Sequence, residues 1–260
     1  KIIKDADVLF EKLLYFSFKG GFGSCISKVP ITLIDGTSVL VSRTGYTGEF
    51  GFELFVEIDH LPSLWNHLLE AGREYGMLAC GLAARDSLRA GAVLPLSHQD
   101  IGPWPFLSNP WQFALPWNDD GRGFSKDFVG ADALLEETET EHTLPFAGFD
   151  PRKIAVSHST CVILPSGEKI GKILTCTTDM AIDRVDGEIV SLASGPKKAG
   201  ADGFKPRGLC CGFLLVDRKL DAGEIVYLSD GKRKLKVEIR ADIRPDRSAR
   251  LSLSALLGEA

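Results

Sequence analysis

The residues best suited to bind a ligand or take part in chemistry lie in one glycine-rich segment, SRTGYTGEFGFEL, at 42–54. Closely spaced glycines let the backbone turn tightly and approach a ligand, and Tyr46 adds a flat ring with a hydroxyl group. Glu53 follows on a predicted strand whose alternate face is apolar. A carboxylate there can accept two parallel hydrogen bonds from an amidine-like N–H pair, such as the 2-amino-4-oxo edge of a pterin or a guanine. The residues alone leave a second interpretation open, a glycine-rich hairpin with an exposed glutamate.

Three strands are predicted around this segment. VPITLI at 29–34 and TSVLVSRT at 37–44 flank Asp35 and Gly36, a pair typical of a tight β-hairpin. Residues 52–57 then alternate between apolar and mixed side chains, which predicts a strand with one face toward the core. The sequence therefore places a glycine-rich break between two strands.

Two helices are predicted after these strands. Apolar residues recur at helical spacing after Pro62, and Gly76 is placed to end this first helix. A second helix fits residues 82–90, with Leu82 and Leu88 facing the core.

Composition and charge exclude several classes of protein. The 260-residue chain has 30 Lys and Arg residues against 35 Asp and Glu residues, a formal net charge of −5. These ordinary values exclude a disordered chain, a fibrous protein and a nucleic-acid binder that works by bulk positive charge. The sequence also lacks the run of about 18 apolar residues that a membrane-spanning helix needs. We therefore expect no nucleic acid and no membrane among its partners.

The six cysteines are spread through the chain, without a C-x-x-C pair and without a histidine at metal-ligand spacing. Reduced and mostly buried thiols are the expectation, and no metal site is predicted. Cys210 and Cys211 are adjacent, so in a strand their side chains would point to opposite faces. This spacing argues against a shared metal.

The composition and the predicted secondary structure change along the chain. Residues 102–118 are rich in proline and tryptophan, which predicts a long structured crossing without regular helix or strand. An acidic stretch that begins at Glu136 is the best candidate for a boundary. Beyond residue 150, short strands alternate with turns, a pattern typical of a small antiparallel barrel or sandwich. We therefore predict an α+β domain over 1–143 and an all-β domain over 144–260.

Other motifs carry little functional signal. KGGFGS at 19–24 lacks the third glycine of a dinucleotide loop, so a flexible turn is the favoured interpretation. The chain has five histidines but no G-x-S-x-G motif, and a structural or surface role is favoured for each. Of the five, His98 has the strongest case for a functional role, because it lies just after the second helix, where the chain leaves a packed element.

Two motifs together resemble a known family. RTGYTGEFGFEL and, further along, GLAARDSLRAGAVLPLSHQDI closely resemble the glycine cleavage system T-protein family of tetrahydrofolate-dependent aminomethyltransferases. NPWQ at 109–112 and KDFVG at 126–130 follow in the family's order, and the C-terminal part is more weakly similar to the family's β-barrel. The resemblance implies a folate-binding domain, an antiparallel sheet with helices, followed by a C-terminal antiparallel β-barrel.

The resemblance also implies roles for four residues. Glu53 matches the glutamate that hydrogen-bonds the pterin, and Arg85 matches the family's site arginine. Tyr46 and Trp117 match aromatic positions that line the folate cavity. Asp86 and Arg89 lie beside Arg85 on the predicted helix and are interpreted as structural salt-bridge partners.

The family's catalytic aspartate lies in a segment that precedes the part matched here, so the catalytic residue is unknown in this sequence. We therefore expect an N-terminally truncated chain that is inactive alone. The family's C-terminal tyrosine pair also has no evident match. The sequence leaves the compartment undecided; the cytoplasm is expected, or the mitochondrial matrix in a eukaryote.

The function that the resemblance implies is transfer of a one-carbon unit from a lipoyl-bound aminomethyl group to tetrahydrofolate. The partner would be the lipoyl-bearing carrier protein of the glycine cleavage system. A tetrahydrofolate-dependent demethylase or methyltransferase acting on a small methylated substrate is a second possibility on the same fold. A non-catalytic folate-binding relative is disfavoured, because those relatives carry a K-G-C-type motif where this chain has GLAARD.

Overall fold

Two units make up the structure, a computed structural model that describes residues 1–4, 6–10, 13–24, 28–136, 141–195 and 204–257. One unit comprises Lys1–Arg85 with Arg247–Ala260, and the other comprises Asp86–Asp246. Among the described residues, every helix is too short or too polar to cross a membrane.

Helices and strands alternate irregularly along the chain. The α-helices are α1 (Ala6–Phe10), α2 (Leu61–Gly72), α3 (Leu82–Gly91), α4 (Ala131–Glu136) and α5 (Leu253–Leu257). Single 3₁₀ turns cover Ile58–His60, Arg73–Tyr75, Phe106–Ser108 and Gln112–Ala114. The strands are β1 (Phe18–Gly20), β2 (Leu40–Ser42), β3 (Glu53–Phe55), β4 (His142–Gly148), β5 (Cys161–Ile163), β6 (Lys169–Asp179), β7 (Ile182–Val185), β8 (Glu188–Ser191), β9 (Leu209–Val216), β10 (Ile225–Ser229) and β11 (Lys234–Ile239).

The first unit is built on a three-stranded antiparallel sheet in the order β1-β2-β3. Its core contains the buried side chains of Leu9, Ile31, Val39, Val41 and Leu64. The predicted strands at 37–44 and 52–57 are present as the shorter β2 and β3. The predicted strand at 29–34 is wrong, because this stretch pairs only through isolated bridges at Thr32 and Leu33. The sheet therefore places the glycine-rich segment between its central strand β2 and its edge strand β3.

The two predicted helices are present, with one error. Helix α2 contains Pro62 in its first turn and continues as a 3₁₀ turn that Gly76 ends with a left-handed φ of +72°. The prediction for Leu82 is wrong, because its side chain is 79% exposed. The residues of α3 that are buried lie in its last turn and include Arg89 and Ala90.

The second unit contains a closed six-stranded antiparallel barrel in the order β10-β11-β4-β9-β6-β5. Apolar side chains from every strand fill its interior, among them Phe146, Val162, Leu214, Val226 and Val237. Closure removes the exposed edges that an open sheet of this size would leave. The predicted fold class, helices with an antiparallel sheet followed by an antiparallel barrel, is confirmed.

Strand β9, LCCGFLLV, is buried along its whole length. Cys210 and Leu214 belong to the barrel interior. Cys211 instead packs in a cluster outside the barrel that includes Ala90 and Ile243. The predicted opposite orientation of the two adjacent cysteines is confirmed, and Cys25 lies outside the described residues.

The region 102–118 is a structured crossing of turns, as predicted. The indole nitrogen of Trp104 donates to Thr143 Oγ1 at 3.2 Å, and that of Trp111 donates to the Val93 carbonyl at 3.4 Å. The barrel's first strand begins at His142, close to the predicted boundary between residues 143 and 144. That boundary stays a prediction, and the contacts within the chain group residues 86–141 with the barrel.

A buried ion-pair network in the second unit is centred on Arg89. Its Nε donates to Asp86 Oδ1 at 2.7 Å, its Nη1 contacts the Asp100 carboxylate, and its Nη2 donates to Thr175 Oγ1 at 3.0 Å. Asp100 is fully buried and also accepts from the Leu96 N–H at 2.9 Å. These contacts agree with the structural role predicted for Arg89 and Asp86.

We expect Arg89→Leu to lower the free energy of unfolding by about 3–5 kcal/mol, because it leaves the buried Asp100 carboxylate without its countercharge. Arg218→Leu is the matched control, since Arg218 also contacts two carboxylates, Asp217 and Glu168, but at an exposed position. Urea unfolding measures both variants, and the control should change little. If both variants lost the same free energy of unfolding, burial of the Arg89 ion pair would not explain the effect.

Candidate functional site

Glu53 is the first residue of β3, and its side chain is exposed. The Thr44 hydroxyl donates a hydrogen bond to Glu53 Oε2. Thr44 Oγ1 also lies 2.9 Å from the hydroxyl oxygen of the buried Ser42, which pairs with Glu53 across the sheet. One carboxylate oxygen is therefore held in place, while the carboxylate retains further lone pairs for a ligand.

Tyr46 and Arg85, two of the predicted site residues, lie together. The Arg85 guanidinium carbon is 5.2 Å from the centre of the Tyr46 ring, within cation–π range. Arg85 is exposed and Tyr46 is half-buried. The contact presents a planar cation beside an aromatic ring that belongs to the loop ending at Glu53.

Trp117 lies in the second unit. It forms an isolated bridge with Phe124, and the two ring centres are 4.8 Å apart. Its assignment to a folate cavity stays a prediction.

The loop between β2 and β3 is bound to a distant segment of the same unit. The Glu49 carboxylate accepts from the Ser248 N–H at 3.1 Å and from the Ser248 hydroxyl at 2.7 Å. The Phe50 N–H donates to Ser248 Oγ at 2.9 Å, and the Ala249 N–H donates to the Gly48 carbonyl at 3.1 Å. Side chain and backbone bonds thus fix the conformation of the glycine-rich loop.

Arg43 joins the β2–β3 loop to the segment near Ser248. Its side chain is buried, with Nη1 donating to the Gly51 carbonyl and Nη2 to the carbonyls of Ala249 and Leu251, each at 3.0 Å. The Phe50 ring lies over the guanidinium, with its centre 3.9 Å away. Burial lowers the pKa of Arg43, and the carbonyl dipoles and the ring face compensate the buried charge.

Sequence reasoning missed Arg43 and Ser248. The sequence did contain a signal at Arg43. This arginine follows a strand of apolar residues, so burial is expected there, and a buried charge needs hydrogen-bond partners. Those partners are about two hundred residues away and lie in a segment without a motif. Ser248 carries no local signal of its role.

A cleft of about 490 Å³ lies elsewhere in the first unit, beside the predicted turn at 19–24. Its lining includes the acidic residues Asp35 and Glu57 together with Phe22, Gly23, Gly36, Thr37, Ser38 and His60. Hydrogen bonds from Thr37 lower the pKa of Asp35 below its ordinary value. The prediction of a turn over 19–24 is wrong for Lys19 and Gly20, which belong to β1, and a turn follows at Gly23 and Ser24. The acidic lining does not favour phosphate binding beside these residues.

Metal chemistry receives no support from the geometry. In the described part of the chain, His, Cys, Asp and Glu side chains do not gather in groups of three or more that could hold a metal ion.

Comparison with known families gives an assignment for the region that contains the loop. The model of the GCVT N-terminal domain family matches residues 27–117. The resemblance to the T-protein family seen in the sequence motifs is thereby confirmed.

Similar proteins include several named aminomethyltransferase. That of Alkaliphilus metalliredigens (strain QYMF) is 40% identical over 146 residues, which cover 55% of this chain and 37% of that protein. That of Geobacillus sp. (strain WCH70) is 38% identical over 148 residues, 55% of this chain and 38% of that protein. That of Bacillus cereus (strain AH820) is 36% identical over 171 residues, covering 64% and 42% respectively. The chain thus spans about two fifths of the length of these relatives.

A solved structure shares the fold. The crystal structure of glycine cleavage system aminomethyltransferase T from Bartonella henselae matches with a TM-score of 0.60 at 22% identity, over 91% of this chain and 54% of that chain. This likeness shows that the chain has the fold of that protein over about half of that protein's length.

For the loop at 43–53, we expect Arg43→Lys to speed amide hydrogen exchange at Phe50 and Ala249 by about tenfold or more. Lysine keeps the charge but lacks the planar fork, so it cannot reach three carbonyls at once, and one charge-assisted bond contributes about 1.5–3 kcal/mol. Hydrogen exchange followed by mass spectrometry measures the effect. Arg73→Lys, at an exposed position of the same unit, is the matched control, and equal exchange in the two variants would contradict this role of Arg43.

Proposed function

We propose that the loop at 43–53, together with Arg85, binds tetrahydrofolate. The observation that carries this proposal is the Glu53 carboxylate, which is exposed to ligand and oriented by the Thr44 hydroxyl. The contact between the Tyr46 ring and the Arg85 guanidinium supports it. The match of residues 27–117 to the GCVT N-terminal domain family and the named relatives support the same ligand class.

Glu53 would recognise the pterin ring through its N–H edge. The 2-amino group and the adjacent ring N–H of a pterin form a parallel pair of donors, which a carboxylate accepts bidentately. The hydrogen bond from Thr44 restricts rotation of the carboxylate before the ligand arrives, so less side-chain entropy is lost on binding. Ser42 would in turn hold the Thr44 hydroxyl in position.

Arg85 and Tyr46 would contact the remaining part of the ligand. An arginine beside an aromatic ring offers a cation and a ring face together, suited to a ligand that combines aromatic rings with carboxylates. Folates have both. We also propose Trp117 as a folate-contacting aromatic residue, on the resemblance alone.

For the reaction, we propose aminomethyl transfer of the glycine cleavage type. The aminomethyl group, attached to a sulfur of the lipoyl arm of a carrier protein, would pass its one-carbon unit to tetrahydrofolate. Methylene-tetrahydrofolate forms, ammonia leaves, and the lipoyl arm is left as its dithiol. The residues named here bind and orient the folate, and the catalytic carboxylate implied by the family is not assigned to any of them. The cytoplasm is the proposed compartment, or the mitochondrial matrix in a eukaryote.

We expect Glu53→Ala to weaken tetrahydrofolate binding by about 1–3 kcal/mol, the contribution of a charge-assisted pair. Titration calorimetry on the complete gene product measures the affinity. Glu57→Ala is the matched control, because Glu57 is an exposed glutamate shortly after the same strand. If the two variants bind tetrahydrofolate as tightly as the unchanged protein, Glu53 does not bind the pterin.

A second substitution tests the orienting hydroxyl. We expect Thr44→Val, which has nearly the same shape, to weaken tetrahydrofolate binding by less than Glu53→Ala, about 0.5–1.5 kcal/mol. Thr44→Ser should restore most of the affinity, because it retains the donor. Calorimetry that shows Thr44→Val and the unchanged protein to be equal would remove Thr44 from the site while leaving the role of Glu53 intact.

The donor of the one-carbon unit is tested separately. Methylene-tetrahydrofolate formation from glycine, in the presence of the other cleavage-system components, would support aminomethyl transfer. Transfer from a small methylated compound without those components would instead favour a tetrahydrofolate-dependent demethylase or methyltransferase.

A further inference from the structure

Two cysteines of the barrel face each other across neighbouring strands. Cys176 lies on β6 opposite Gly212 of β9, and Cys210 of β9 lies opposite Thr178 of β6. The two cysteines therefore occupy one diagonal of the same face, with their Cα atoms about 7–8 Å apart by strand geometry. Cys210 belongs to the buried interior cluster and Cys176 packs against that cluster.

Two glycines leave room around these cysteines. Gly212, the direct partner of Cys176, has no side chain to fill the space beside it. A Cβ atom added at Gly148 of the other neighbouring strand, β4, would lie only 2.8 Å from the Cys210 sulfur, so that sulfur uses space that a side chain there would fill. The thiols of Cys176 and Cys210 lie within hydrogen-bonding reach of each other.

The two thiols differ in reactivity. The Cys176 sulfur accepts a hydrogen bond from the Ile154 N–H at 3.5 Å, and its side chain is only partly buried. The hydrogen bond from Cys210, the Ile154 N–H and the Lys153 charge lower the pKa of Cys176 against the opposing effect of burial. The contact with Cys176 and burial raise the pKa of Cys210. Cys176 is therefore the thiol that reaches the thiolate form and reacts first.

We propose that Cys176 and Cys210 are an oxidisable dithiol that a hydroperoxide converts into a disulfide between β6 and β9. The Cys176 thiolate attacks a peroxide oxygen, the O–O bond breaks, and the sulfur becomes a sulfenic acid as water or an alcohol leaves. The Cys210 sulfur then attacks the Cys176 sulfur, the S–O bond breaks, and the hydroxyl group leaves as water with the Cys210 proton. The two thiols lose two electrons and the hydroperoxide gains them.

Strand geometry makes this bond reversible. A Cα separation of about 7–8 Å exceeds the usual range for a disulfide, so closing the bond draws the two strands together and leaves it strained and easily reduced. The modification is therefore suited to a reversible response to oxidant. It uses none of the residues proposed to bind folate.

The test treats the reduced full chain with hydrogen peroxide, blocks the remaining thiols with iodoacetamide and maps peptides without reduction. We expect a linked peptide pair that contains Cys176 and Cys210, lighter by two hydrogen atoms than the separate thiol peptides and split by dithiothreitol. Oxidation that stops at a Cys176 sulfinic acid, or linkage mainly through the exposed Cys80, would overturn the proposal.

Matched variants separate pairing from general oxidation. Cys211→Ser alters the adjacent cysteine on the other face and should retain the linkage. Cys210→Ser should abolish it and leave a Cys176 sulfenic acid that dimedone traps. Cys210→Ala serves if the buried serine hydroxyl prevents folding, with circular dichroism as the check. Linkage of Cys176 to another cysteine in these folded variants, at the yield of the unchanged chain, would also overturn the proposal.

Discussion

The first unit depends on the burial of one cation. The Arg43 guanidinium lies beneath the β2–β3 loop and donates to carbonyls from both the loop and the segment near Leu251. Each of these carbonyls would lack that donor if the guanidinium moved, and a buried polar group without a partner is costly. The position of the loop, of Glu53 at its end and of the segment around Ser248 therefore follows from how this charge is accommodated.

The two units accommodate buried arginines in different ways. Arg43 is neutralised by dipoles, since its hydrogen-bond acceptors among the described residues are backbone carbonyls and its other neighbours are aromatic rings. Arg89 is neutralised by charge, through Asp86 and the fully buried Asp100. A carbonyl clamp fixes backbone segments directly, whereas an ion pair fixes side chains. The first solution is the one found beside the candidate ligand loop, where backbone conformation matters most.

Local sequence signals predicted those parts of the structure that local physics determines. The turn at Asp35 and Gly36, the end of a helix at Gly76 and the strands of the barrel follow from turn chemistry and alternation. Strand β4 was missed because it contains Pro145; pairing with β11 extends only to Phe146, so the missing N–H interrupts no pair of that ladder. Strand β7 was missed because it contains Asp183, whose charge is paired with Arg207 from a distant part of the chain.

The same distinction holds for the candidate site. Tyr46, Glu53 and Arg85 were predicted because they belong to compact motifs. Arg43 and Ser248 were not, because their roles come from contacts between distant segments. Leu82 was wrongly assigned to the core since helical periodicity identifies a face but not whether another element covers it.

Strand β9 carries a consequence for how the barrel is assembled. It lies between β4 and β6, and both of these precede it in the chain. During synthesis, β4 and β6 are therefore complete before the strand that joins them, and each presents an open hydrogen-bonding edge until Val216 has been added. Because β9 is buried on both faces, the intermediate also lacks apolar side chains inside and outside the barrel. The order of strands along the chain thus makes the period before β9 docks the time at which this protein is most prone to aggregate.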